Sequence, residues 1–79
     1  MKSILAKELA DSANRYKVKY GKAGADLKLI ERDYEDLMSI AQMIETGASA
    51  KIIQKAMWQL DTAVRDEIPD TVFWTFNGQ

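Results

Sequence analysis

Residues 27–68 read LKLIERDYEDLMSIAQMIETGASAKIIQKAMWQLDTAVRDEI, and the fold turns on how this stretch divides. From its start, apolar residues recur at alternating steps of three and four: Leu27, Ile30, Tyr34, Leu37, Ala41 and Ile44, with Met38 beside them. Such a heptad-like seam predicts a helix over about 26–45, with Asp26 placed to cap it. The run Glu45-Thr46-Gly47-Ala48-Ser49 then interrupts the pattern. Gly47 suits the left-handed end of a helix, and Ser49 or Thr46 suits the cap of the next. Beyond it Ile53, Met57, Leu60, Val64 and Ile68, flanked by Ile52, Ala56 and Ala63, predict a helix over about 49–68, stopped by Pro69. Two long amphipathic helices around a tight turn make a long antiparallel hairpin.

Upstream, Ser3 is a plausible cap for a helix over about 3–19, whose apolar face is Leu5, Leu9, Ala13, Tyr16 and Tyr20. It ends among Arg15, Lys17, Lys19 and Lys22, where cations complement the negative end of the helix dipole. Asp11 with Arg15, and Asp61 with Arg65, have the spacing of supporting ion pairs. Gly21 and Gly24 mark Gly21–Ala25 as a connection; it lacks the spacing of a phosphate loop. Residues 70–79, DTVFWTFNGQ, carry three aromatics. Alternation of Val72, Trp74 and Phe76 permits a short strand, while Asp70 followed by Val72, Phe73 and Phe76 permits a helical turn. Either way so apolar a tail must pack. The expected fold is therefore all-α: a single three-helix domain over 1–79, built on the hairpin, with the aromatic tail packed on it.

Composition narrows the function classes. A chain of 79 residues buries only about 60 to 65% of the surface its unfolded form exposes. It has no cysteine for disulfides and no histidine, which removes the common metal sites and the Ser-His and Cys-His dyads. Glu31/Glu35 and Asp33/Asp36 are paired carboxylates, but without a second helix carrying Glu-x-x-His they make a poor metal or acid-base site. No enzyme activity, cofactor or small-molecule substrate is expected. The formal net charge of −1 argues against generic nucleic-acid binding. Its distribution is uneven, with seven basic and three acidic residues in 1–30 against four and nine in 31–79. Neither a signal peptide nor a membrane span is apparent, so a cytoplasmic location is expected.

The residues that do not fit the helical faces are the candidate site. Leu29, Ile40 and Met43 project together well away from the seam of the second helix. Trp58 projects from the polar face of the third, near Lys51, Lys55 and Arg65. Tryptophan and arginine are enriched among the residues that carry binding energy at protein interfaces. The expected function is a non-enzymatic interaction module, a small helical inhibitor or adaptor that self-associates or holds another protein. Its anchors would be Trp58, Trp74 and Phe76, with Lys51, Lys55 and Arg65 as the polar rim and Leu29, Ile40 and Met43 as a second strip.

A second reading starts from residues 43–56, MIETGASAKIIQKA, which resemble the turn of helix-turn-helix DNA-binding regulators. The turn glycine, the small residue and serine after it, and apolar Ile53 and Ala56 carry the likeness. The resemblance implies that Ser49, Ala50, Lys51, Gln54 and Lys55 face the major groove and phosphates. Met43 stands where the motif has a small residue, and the chain is acidic overall, so the interaction reading comes first.

Overall fold

The structure is a computed structural model that describes residues 3–78. Met1 and Lys2, part of the leader reading, and Gln79, the end of the aromatic tail, lie outside the described residues. Among the described residues five helices follow in order: α1 Ile4–Lys22, α2 Leu27–Thr46, α3 Ala50–Trp58, α4 Thr62–Arg65 and α5 Asp70–Asn77. The fold is all-α, with no strand among the described residues.

The long hairpin is made by α1 and α2, not by the second and third helices. Its antiparallel register is fixed by contacts along its length. The Ser3 N–H at the start of α1 donates to the Glu45 carboxylate near the end of α2, at 2.9 Å. Further along, the Tyr16 hydroxyl donates to the Asp33 carboxylate. The turn between the helices is shorter than expected, because α1 runs through Gly21 to Lys22. Gly24 then adopts a left-handed φ of 79°, and the Ala25 N–H reaches back to the Tyr20 carbonyl at 3.2 Å. Gly47 closes α2 in the same way: its φ is 82°, and the Ala48 N–H donates to the Met43 carbonyl at 2.9 Å. Ser3, Asp26 and Ser49 cap the first three helices through their side chains, as their positions imply.

Leu9, Ala13 and Tyr16 of α1 meet Leu37, Ala41 and Ile44 of α2 in one continuous core, which Ile53, Met57, Val64, Ile68 and Val72 complete from the C-terminal side. Leu27 is the exception in the seam, 68% exposed.

The helix expected over 49–68 is broken. α3 ends at Trp58, and Asp61, with extended backbone, starts the four-residue α4. Arg65 supports the break: its guanidinium donates to the Leu60 carbonyl at 2.9 Å and lies 3.5 Å from that of Trp58, partnering carbonyls that the ended helix leaves free. Neither expected ion pair forms. Asp61 turns to Arg32 at 3.5 Å, and Arg15 donates to the Ser12 hydroxyl at 2.9 Å. The tail is helical rather than a strand. Pro69 supplies the N-cap position and Asp70 an acidic first turn, while Val72 is fully buried.

Candidate interaction site

Breaking the third helix brings the C-terminal aromatics to Trp58. With α3 stopped, Val64 and Ile68 return to the core and Pro69 starts α5. The Trp58 indole N–H then donates to the Asn77 side-chain oxygen at 2.8 Å. Its ring meets Phe73 edge-on at 5.7 Å, and Phe73 meets Trp74 edge-on at 5.0 Å. The Arg65 guanidinium lies 4.5 Å from the centre of the Trp58 ring. Even so, Trp58 remains 56% exposed and Trp74 58% exposed.

Both tryptophans, with Phe73, Ile68 and Arg65, line one cleft of about 360 Å³. Its polar lining is mostly acidic: Asp66 and Asp70 are both exposed, and among the described residues neither pairs with a basic side chain. Lys51 and Lys55, placed on the rim by sequence, are exposed on α3 but do not line the cleft. Phe76 is half-buried against the core. Asp66 and Asp70 were missed for separate reasons: Asp66 joins the cleft through the break at 59–61, whereas Asp70 stands one helical turn before Trp74 and joins it because the tail is helical. The one local signal for that break is Asp61-Thr62, a good helix start inside a run that otherwise reads as continuous.

Leu29, Ile40 and Met43 do not form a strip. Ile40 is 2% exposed and belongs to the core. Met43 is half-buried, lining with Ile40, Ala56 and Leu60 a groove between α2 and α3. Only Leu29 is exposed. Packing of α3 across this side of α2 covers the two residues that lay outside the seam.

The carboxylate pairs are divided by burial. Asp33 is buried and accepts from Tyr16, with the Arg32 guanidinium at 3.3 Å, while Asp36, Glu31 and Glu35 are exposed. Burial, reinforced by the Asp33 carboxylate, pushes the Tyr16 hydroxyl well above the ordinary tyrosine range. No group of three acidic side chains among the described residues is placed to hold a metal ion. A larger concavity, about 490 Å³, lies between α1 and α2. It is lined by Ala6, Ala10, Ala41 and Met38 with Ser3, Lys7, Gln42 and Glu45, and by no aromatic.

Of the residues in the helix-turn-helix resemblance, Lys51 and Lys55 are exposed and Gln54 is half-buried. The Ser49 hydroxyl accepts from the Ile52 N–H at 3.3 Å, so it serves as a cap. No helix among the described residues is long and apolar enough to cross a membrane. Comparison with known protein families, curated proteins and solved structures finds no match to this chain.

Proposed function

We propose that this chain is a non-enzymatic protein-interaction module, of the inhibitor or adaptor kind, that docks through its C-terminal aromatic end. The observation that carries this reading is that both tryptophans in the chain line one cleft while each keeps more than half its surface in water. Covering one such side chain is worth about 1.5–3 kcal/mol, so the pair together supplies anchors for a stable complex. The partner is another protein, or a second copy of the chain.

The test combines light scattering across concentration with affinity capture by the intact chain and by Trp74→Ala. A second copy as partner raises the scattering mass with concentration and shields the indoles from a soluble quencher. A foreign partner is retained by the parent and lost by Trp74→Ala. Equal retention by both chains, with a monomer at every concentration, sinks the proposal.

One observation supports the DNA-binding alternative: α3 is a nine-residue helix directly after the Gly47–Ser49 turn, closer to a recognition helix than a twenty-residue one. Duplex binding that weakens with salt and on Lys51→Ala/Lys55→Ala is its signature; no binding at low salt ends it.

A further inference from the structure

The chemistry of the cleft narrows the partner. The cleft is lined by the aromatic rings of Trp58, Phe73 and Trp74 together with Ile68, and by three charged side chains, Arg65, Asp66 and Asp70, that sum to one negative charge. An aromatic face attracts a cation through its quadrupole, and a carboxylate within reach adds a charge-assisted hydrogen bond. The molecule already contains one instance of the contact, the Arg65 guanidinium over Trp58. That arginine lines the same cleft, but its N–H groups serve the Leu60 carbonyl and the Thr62 hydroxyl and it forms no ion pair with Asp66 or Asp70, so both carboxylates keep their acceptor sites for another donor. The Trp74 ring has no cation on it among the described residues. Of the four carboxylates in residues 61–70, Asp61 and Glu67 are paired with Arg32 and Lys19 at 3.5 Å each, and the two without a basic partner among the described residues, Asp66 and Asp70, are the two that line the cleft. An acidic side chain entering here would meet repulsion, and a neutral one would leave both carboxylates without a partner.

Building on the interaction reading above, we propose that the Trp58–Phe73–Trp74 cleft, with Asp66 and Asp70 at its edge, receives a cationic side chain from a basic segment of a partner protein. The aromatic rings bind the apolar stem and the face of the cation. The two aspartates receive its N–H groups.

The probe is an arginine-glycine repeat peptide, compared with the same peptide carrying citrulline, which keeps the shape and removes the charge. A glutamate-glycine repeat is the third arm. The two indole N–H resonances of the labelled full chain report occupancy of the cleft directly. The arginine peptide is expected to shift them saturably and to bind about tenfold tighter than the citrulline peptide, a ratio within reach of one cation–π contact with a carboxylate partner. Asp66→Asn/Asp70→Asn should remove most of that preference; both side chains are exposed, and Asn is a poorer first-turn residue than Asp at position 70, so circular dichroism is used to confirm that α5 is retained. A lysine-glycine repeat ranks the two cations.

Equal binding of the arginine and citrulline peptides, or tighter binding of the glutamate peptide, overturns the cationic assignment while leaving the aromatic end a docking surface. Indole resonances that none of the peptides moves overturn it as well, and the capture by Trp74→Ala then decides the broader reading separately. An arginine preference that survives in Asp66→Asn/Asp70→Asn places the cation elsewhere and also overturns it.

Discussion

Along α1 and α2, nearly every apolar side chain at seam spacing finds the opposite helix, whereas α3 to α5 leave the two largest side chains in the protein half in water. The difference follows from length. Two helices of 19 and 20 residues lie side by side for most of their length, so one face of each is covered throughout. Helices of nine, four and eight residues cover each other only in patches. Each buries one or two positions in the common core (Ile53 and Met57, then Val64, then Val72), with Ala56, Phe73 and Phe76 packed half-buried against it, and together they leave the two tryptophans exposed. Both halves contribute to the one core; the hairpin leaves single aliphatic side chains such as Ile4, Val18, Leu27 and Leu29 in water, whereas the short-helix half leaves its two tryptophans there, side by side in one cleft.

If the core is shared in this way, its hairpin side should hold the whole molecule together. Leu37 is fully buried on α2, in the cluster that includes residues from every helix. Leu37→Ala is expected to cost about 2–5 kcal/mol, a large share of what so small a domain has. Far-ultraviolet circular dichroism follows the helices, and the fluorescence of Trp58 and Trp74 follows the C-terminal end alone. Both should move to a lower denaturant midpoint together. Separated transitions would make the short-helix half a unit of its own and break the comparison.

A smaller effect is expected at the Tyr16–Asp33 contact, the buried polar link across the hairpin. Tyr16→Phe leaves the Asp33 carboxylate without that donor, at a cost of about 1–3 kcal/mol at neutral pH. It also predicts a pH dependence. Because burial raises the folded-state pKa of Tyr16, the folded chain holds the phenolic proton more tightly than the unfolded one. The contribution is therefore complete below the ordinary tyrosine value of about 10, and is lost as pH rises above it. Denaturant titrations at neutral pH and above pH ~10 should show stability falling with pH more steeply in the parent than in Tyr16→Phe. Parallel losses in the two chains would remove Tyr16 as the source.

Much of this architecture is legible in the sequence because it is local. Caps at Ser3, Asp26 and Ser49 and the left-handed Gly47 are set by residues within a few positions, and the helical faces by spacing. The break at 59–61 was hidden because Ile53, Met57, Leu60, Val64 and Ile68 keep helical spacing across it. α4 resumes on the core side, so the pattern of an unbroken helix persists where the helix stops. Burial of Ile40 and exposure of Leu27 depend on which neighbour covers α2, and the partner of Asp33 lies 17 residues away on another helix. For the candidate site, Trp58 is legible as a misfit, Arg65 as its neighbour on the polar face and Trp74 as part of an apolar tail that must pack. Asp66 depends on the folded-back α5 to stand beside the rings, and Asp70 on the tail being a helix rather than a strand.

Trp74→Ala should have the smallest effect on stability, and for that reason it separates the two halves most cleanly. The ring is 58% exposed, makes its aromatic contact with Phe73 alone, and donates no hydrogen bond among the described residues. Val72, fully buried, holds α5 in place independently of it, and the Trp58–Asn77 hydrogen bond does not pass through it. A loss of less than about 1 kcal/mol is expected, the range for an aromatic pair at a partly solvated site. Trp58→Ala should cost more, because it removes the Asn77 partner, the Phe73 edge contact and the ring beneath Arg65 together. A side chain that contributes so little to folding while presenting so much apolar surface is hard to account for by stability. If Trp74→Ala instead lowers the midpoint as far as Leu37→Ala does, its ring is a structural element of the domain, and the case for the C-terminal end as a binding surface falls with it.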